Sequence, residues 1–251
     1  MGVLIDALLQ WYGREARALP WRRTRDPWAI LVSEVMLQQT QAARVVPYYE
    51  RFLERFPDPS TCAGAPAAEV LRAWSGLGYN RRALALHRAA AVIATEGWPE
   101  DLEALPGVGP YTAAAVGSFA FGAPVLAVDT NVRRVLARTG LHVEAPTPAL
   151  NQALMELGAT VCTARAPRCA ACPLAADCDG PEEPAPRGRG RVRFKDTDRF
   201  VRGRVVAALA AGDALPEVDP QRLRRALDGL ERDGLIERSA TRVRLPGQAV
   251  R

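Results

Sequence analysis

The chain has 251 residues, nearly half of them apolar, and a formal net charge of +5. That is room for one large domain, or a domain with a small appendage, around a substantial core. No apolar run reaches 18 residues and no cationic start precedes a secretory core, which argues against a membrane span and secretion and leads us to expect a soluble cytoplasmic protein. The modest cationic excess suggests a polyanionic partner; Lys195 is the only lysine, so the positive charge is almost entirely guanidinium.

The first 178 residues read as helices divided by the turn signals "FPDPS", "GLGYN", "PGVGP" and "FGAP", with no alternating strands. In "AILVSEVMLQQTQ", Glu34 lies four residues after Ile30 and three before Leu37, on the side a helix would bury, with no arginine three or four residues away. An unpaired acid on a core-facing stripe is the first anomaly. "VVPYYERFLERF" places Val45, Tyr49, Phe52, Leu53 and Phe56 on one stripe, and "RRALALHRAAAVIA" does so with Leu84, His87, Ala91 and Ala94. In "LPGVGPYTAAAV", Gly107 and Gly109 separate two helical segments, the second opening at Pro110 or Tyr111. Such a turn lets backbone approach a ligand, and the free N–H groups of the helix start favour an anion; a plain helix hairpin needs glycine as well. In "VLAVDTNVRRVLART", Asp129 opens an amphipathic helix carrying Val132, Val135 and Leu136. Helix capping alone accounts for an aspartate there and contributes about 1 kcal/mol.

Cys162, Cys169, Cys172 and Cys178 follow a C-x6-C-x2-C-x5-C spacing, while Cys62 stands apart as a plain small residue. Four thiols this close in a long, core-forming chain indicate a metal site rather than a disulfide scaffold, and the spacing leaves zinc and iron–sulfur both open. Between the first two cysteines, "TARAPR" presents Arg165 and Arg168, which suit phosphates, or simply solvent. Residues 179–196 read as a linker rich in Pro, Gly and Arg. The tail, 197–251, reads as two helices and a short strand: a winged-helix-like module or a small helical cap. Its Arg199, Arg202, Arg204, Arg224 and Arg225 would lie along a nucleic-acid backbone and add affinity without sequence information.

Taken in order, the acid in "SEVMLQQTQ", then "WSGLGYNRRALALH", "LPGVGPYT", "VDTNVRRVLAR" and the four-cysteine loop resemble the helix-hairpin-helix DNA glycosylases, and within them the MutY-type adenine DNA glycosylases, over about residues 5–178. The resemblance implies an all-α fold. A six-helix barrel would span about 22–128 and an iron–sulfur domain 1–21 plus 129–178, with the active site in a cleft between them. The 179–196 linker and the 197–251 winged-helix-like module would follow. It implies a [4Fe–4S] cluster on Cys162, Cys169, Cys172 and Cys178. Glu34 would be the general acid that protonates adenine at N7, since burial keeps a carboxyl protonated near neutral pH. Asp129 would stay ionised and stabilise the positive sugar left by bond cleavage. Tyr111 would sit beside the catalytic centre and Asn131 would support the second acid. Trp21, Arg22, Gln152 and Met155 would line the adenine pocket, although Trp21 and Met155 also suit plain core. Gln39 and Tyr79 would wedge into the base stack by the opposing base, with Thr40 and Leu77 nearby. Gly107, Gly109, Arg165 and Arg168 would touch the DNA backbone. The implied partner is double-stranded DNA carrying A·8-oxoguanine or A·G, bound by a nucleoid-associated monomer that flips the adenine out of the helix.

Two departures stand out. Asn80 replaces the second tyrosine of "GLGYY", and the tail does not resemble the β-rich, Nudix-related domain with which many members recognise 8-oxoguanine; the short form resembles actinobacterial members. With that domain missing, a modest preference for 8-oxoguanine is expected to come from the catalytic half. Three rivals compete with this reading. A thymine or uracil glycosylase acting opposite guanine is disfavoured by Glu34, which suits purine protonation. An endonuclease III-like lyase needs a lysine where Tyr111 stands. An inactive DNA-binding homologue would not need both acids.

Overall fold

The computed structural model describes residues 2–180, 193–239 and 242–248. In chain order its elements are α1 (Gly2–Glu15), α2 (Pro27–Leu37), α3 (Ala42–Arg55), α4 (Pro59–Gly64), α5 (Ala67–Trp74), α6 (Arg81–Glu96), α7 (Pro110–Phe121), α8 (Thr130–Thr139), α9 (Pro148–Thr160), α10 (Asp198–Ala211) and α11 (Pro220–Arg232), then strands β1 (Glu237–Arg238) and β2 (Val243–Arg244). Short 3-10 turns lie between several of them. No helix among the described residues is long and apolar enough to cross a membrane. The chain divides into two compact units, Met1–Glu34 with Val108–Arg187, and Val35–Gly107 with Gly188–Arg251.

In the first unit, α1, α8 and α9 bury Leu8, Trp11, Val132, Val135, Leu150, Leu154 and Leu157 in one core. The helix starts are set by side chains. Asp129 caps α8, accepting from the N–H groups of Asn131 and Val132 at 2.9 and 2.7 Å, and the Thr147 hydroxyl caps α9. The extended stretch ahead of Asp129 is held by buried Asn151, which accepts from Ala127 N–H at 2.9 Å and donates to the Val125 carbonyl at 2.8 Å and the Ser118 hydroxyl at 2.9 Å. Backbone that belongs to no helix or sheet thereby has its polar groups met, and Asp129 is delivered to a fixed place.

In the second unit, α3 buries the expected stripe: Phe52 packs against Phe56 at 5.0 Å and edge-on to Trp74 at 6.0 Å between ring centroids. On α6 the stripe differs from the expected Leu84, His87, Ala91 and Ala94. Leu84 is buried and His87 half-buried, but Ala91 and Ala94 are exposed, and the helix also buries Arg82, Ala83, Leu86, Ala89, Ala90 and Ile93. An alanine-rich helix offers two faces of similar hydropathy, and a buried arginine disguised the true one. The tail folds as two helices and a two-stranded antiparallel hairpin, with Glu237 opposite Arg244, around Val201, Val205, Leu230, Leu235 and Leu245. It packs on the same unit: α10 lies against α5, and Ala68 N–H donates to the Pro246 carbonyl at 3.0 Å. The expected linker falls mostly outside the described residues; its end forms a 3-10 turn at Phe194–Asp196.

Candidate active site

From Trp28 to Met36 every residue of α2 is buried, so the helix is interior on all sides rather than amphipathic. Glu34 sits in that run with 4% of its surface exposed. Its Oε2 is buried and has no hydrogen-bond partner among the described residues. Burial pushes the carboxyl up from 4.5 to about 7; the Tyr111 hydroxyl pulls the other way, and the Asp129 carboxylate raises it further. The phenol of Tyr111, at the start of α7, is pushed well above its usual value by burial and by the same two carboxyls, and it lies 3.9 Å from the Met155 sulfur. Asp129 keeps its cap geometry while its Oδ2 accepts from the Asn131 side chain at 2.8 Å. Glu34, Tyr111, Asp129, Asn131 and Met155 all belong to the first unit. One buried acid near neutrality beside a second, amide-bound carboxylate is the arrangement in which one donates a proton and the other stabilises positive charge.

In the same unit, Trp21 is buried, and Gln152 accepts from the Tyr12 hydroxyl at 2.6 Å. Arg22 reaches Glu156 at 2.7 Å and covers the Tyr12 ring at 5.4 Å. It is therefore engaged with a buried acid.

The second unit carries Gln39, Thr40, Leu77 and Tyr79. Gln39 (φ 58°) and Tyr79 (φ 51°) are the only non-glycine residues in the left-handed region among those described, a conformation that persists only where surroundings impose it. Thr40 accepts from Arg82 at 3.2 Å, Leu77 is buried, and Tyr79 is 40% exposed. In the hairpin, Gly107 has φ 80°, and a side chain there would meet the Ala85 Cβ at 2.6 Å; Gly109 caps α7 directly before Pro110.

Cys162, Cys169, Cys172 and Cys178 line one cavity of about 60 Å³ together with Arg138, and none forms a disulfide. Cys172 is pushed up by burial, opposed by the Leu174 N–H, and pushed up again by the other three cysteines. Arg138 donates to the Cys162 sulfur and Gly180 N–H to that of Cys178, each at 3.4 Å. Among the described residues no three His, Cys, Asp or Glu side chains gather around a single metal ion. Arg165 is exposed; Arg168, also exposed, donates to the Thr160 carbonyl at the end of α9 at 2.8 Å. Cys62 is buried in α4 and pushed up to about 12 by burial and by Asp58, as suits an inert core thiol.

Residues 32–159 match the family of HhH-GPD superfamily base excision DNA repair proteins. The adenine DNA glycosylase of Mycolicibacterium smegmatis is 45% identical over 93% of this chain and 92% of its own length. The chain belongs to the adenine DNA glycosylases of that superfamily. Solved structures of the wider superfamily share the fold: a thermostable thymine-DNA glycosylase at 29% identity and TM-score 0.65, covering 71% of this chain and 94% of its own, and an endonuclease III–DNA complex at 26% and 0.59, covering 70% and 92%. The adenine glycosylase match extends into the tail.

Within this adenine glycosylase scaffold, three groups were not singled out from the sequence. Glu156 is fully buried; burial alone would raise it, but Arg17, at 2.7 and 2.8 Å, and Arg22 hold it down to about 2. It orients Arg22. Arg134 bridges the Asn131 side chain (2.7 Å), the Gly158 carbonyl (2.8 Å) and the Cys162 carbonyl (2.8 Å), joining the second acid's neighbour to the cysteine loop. Arg82 donates to the carbonyls of Val35, Met36 and Gln38 at 2.6–2.8 Å and to that of Gly78 at 3.0 Å. It lies over the Trp74 and Tyr79 rings at 5.3 and 5.2 Å. Burial pulls its guanidinium down to about 10, with Tyr79 opposing, so it remains cationic at neutral pH and ties both strained loops together. Its only sequence signal is an arginine three residues after the tyrosine of "GLGYN".

Proposed function

We propose that this chain is a monofunctional glycosylase that hydrolyses the N-glycosidic bond of adenine opposite 8-oxoguanine or guanine in double-stranded DNA. The observation that carries the reading is Glu34, an interior carboxyl with an unpartnered oxygen and a pKa of about 7. In the proton-bearing form it donates to N7 of an adenine held outside the duplex, so that the base leaves neutral. Asp129, fixed by its cap bonds and by Asn131, turns its carboxylate to the sugar as it becomes an oxocarbenium-like cation. Tyr111 lies beside both acids, and Trp21, Arg22, Gln152 and Met155 shape the base pocket. Gln39 and Tyr79, with Thr40 and Leu77, part the stack at the opposing base; their imposed backbone conformation supports this role. Gly107, Gly109, Arg165 and Arg168 meet backbone phosphates. The endonuclease III relative was solved with DNA, which supports DNA as partner; we take the acting form to be a monomer.

The residues around the cysteine cavity suit a [4Fe–4S] cluster held by Cys162, Cys169, Cys172 and Cys178. The four cysteines line one cavity, and N–H groups point at the sulfurs of Cys162 and Cys178, as suits thiolates. When bound, the cluster supplies a cross-link to the loop that carries Arg165 and Arg168. Lyase chemistry needs an amine at the sugar, and the single lysine, Lys195, belongs to the other unit. Single-turnover base release from duplexes containing A·8-oxoguanine, A·G, T·G and U·G tests the reading. Adenine release from the first two is expected; release of thymine or uracil alone would replace it.

A further inference from the structure

The C-terminal module was expected to lend the enzyme affinity alone, through arginines along the DNA backbone. Three of those arginines, Arg199, Arg202 and Arg225, have partners within this unit. Arg202 pairs with Asp233 at the end of α11, and Arg225 with Asp198 at 3.2 Å. Arg81, two residues after Tyr79, also reaches Asp233, at 3.7 Å. Arg199, on the first turn of α10, lies 4.1 Å from the centroid of the Tyr79 ring, nearer than Arg82. The module therefore stands beside the strained loop that carries Tyr79, and a groove of about 870 Å³ runs between them. Gln39, Thr40 and Tyr79 contribute to it from one side, and Phe194, Arg199 and Arg202 from the other. Phe194 is 61% exposed at this groove. An exposed aromatic, a half-exposed tyrosine under a guanidinium and an amide side chain are the groups on which unstacked bases rest.

We propose that the C-terminal module forms the second wall of the opposite-base subsite, and that Arg199 is the positioning residue that holds the Tyr79 ring where it enters the stack. The ligand is the purine left unpaired when the adenine is withdrawn, with its adjoining strand. This rests on the reading of Gln39 and Tyr79 given above. The cation–ring contact restricts the tyrosine before DNA arrives, which lowers the entropy lost on insertion, while Phe194 offers a second stacking surface across the groove.

The test uses the full chain and an A·8-oxoguanine duplex with 2-aminopurine beside the lesion and a 2′-fluoro sugar on the adenine to resist cleavage. Fluorescence on binding reports unstacking next to the opposing base. Arg199→Ala and Tyr79→Ala should each lose at least two-thirds of the fluorescence rise and slow single-turnover excision from the natural duplex by about tenfold. Arg199→Lys, which keeps a cation over the ring, should recover part of both. Arg238→Ala, which removes ion pairs inside the module to Asp228 and Glu231, should match the parent. Should Arg199→Ala unfold the module, Arg199→Met keeps the aliphatic stem in place and is expected to show the same loss. A parent-like signal in Arg199→Ala alongside a defective Tyr79→Ala would overturn the proposal and leave the wedge intact. A parent-like Tyr79→Ala would remove the wedge reading and the proposal with it. Faster excision by Arg199→Ala would make the contact autoinhibitory, and a lowered salt slope with unchanged fluorescence would make Arg199 a phosphate contact; either result overturns it.

Discussion

In its proposed role as the proton donor, Glu34 would couple folding to catalysis through one proton. Its carboxyl in the folded chain titrates at about 7 against an ordinary 4.5, so between those values the native state holds a proton that the unfolded chain has released. Native stability therefore falls as pH rises through that window, by about 3 kcal/mol in total above pH 7. Glu34→Gln is neutral throughout. It should match the parent in thermal stability near pH 4 and exceed it at pH 8, while adenine release falls by a factor of a thousand or more. In the parent, single-turnover excision should decline about tenfold per pH unit above pH 7 as the acid loses its proton. A rate independent of pH from 6 to 9 would remove Glu34 from the donor role. Asp129 answers differently, because capping and charge reside in the same carboxylate. Asp129→Asn keeps a capping oxygen, so it should cost little stability and most of the activity; a loss of stability with excision intact would reduce Asp129 to a cap.

At the scale of elements, helix contacts set the positions of these side chains. Gly158 on α9 faces α8 so closely that an added Cβ would lie 2.8 Å from the Asn131 Cβ and 3.0 Å from its carbonyl oxygen. Alanine is the better helix former by about 1 kcal/mol, yet Gly158→Ala should lower stability by roughly 1–3 kcal/mol. It should also slow excision, since Asn131 holds Asp129. Calorimetry with single-turnover kinetics checks both; a stabilised and active variant would show that α8 and α9 can part without consequence. Arg82 plays the corresponding role in the second unit. Arg82→Met leaves the carbonyls of Val35, Met36, Gln38 and Gly78 without their donor and should destabilise by about 2 kcal/mol or more. Arg82→Lys should rescue only part, because an ammonium has three donors where the guanidinium has five.

For the whole molecule, the cysteine loop is the decisive chemical assay. Purified protein should be brown and carry four irons per chain; one zinc and no colour would assign the four sulfurs to a single ion instead. Removing the iron should weaken binding to all duplexes alike, because the loop with Arg165 and Arg168 loses its anchor. It should leave the ratio of excision between A·8-oxoguanine and A·G unchanged. Borohydride should trap no covalent adduct with an abasic duplex, since the site residues of the first unit include no amine side chain.

The sequence by itself determined what is local. Turn glycines, the cap at Asp129, the cysteine spacing and the acid inside an apolar run are patterns within a few residues, and they marked helix boundaries and singled out Glu34. The tertiary structure decided what depends on distant partners. Glu156 meets Arg17 and Arg22 across 139 and 134 residues, and no periodicity marks such a pair. Arg82 is buried because five carbonyls and two rings converge on it; in the sequence it is one more charge on a helix. Which alanine face of α6 is interior was set by neighbouring helices rather than by its own nearly symmetric hydropathy. The tail's arginines read as a basic surface until folding paired Arg202 and Arg225 with acids and brought Arg199 over Tyr79. A side chain's charge is written in the sequence, but the group that it meets is chosen by the packing of elements far apart in the chain.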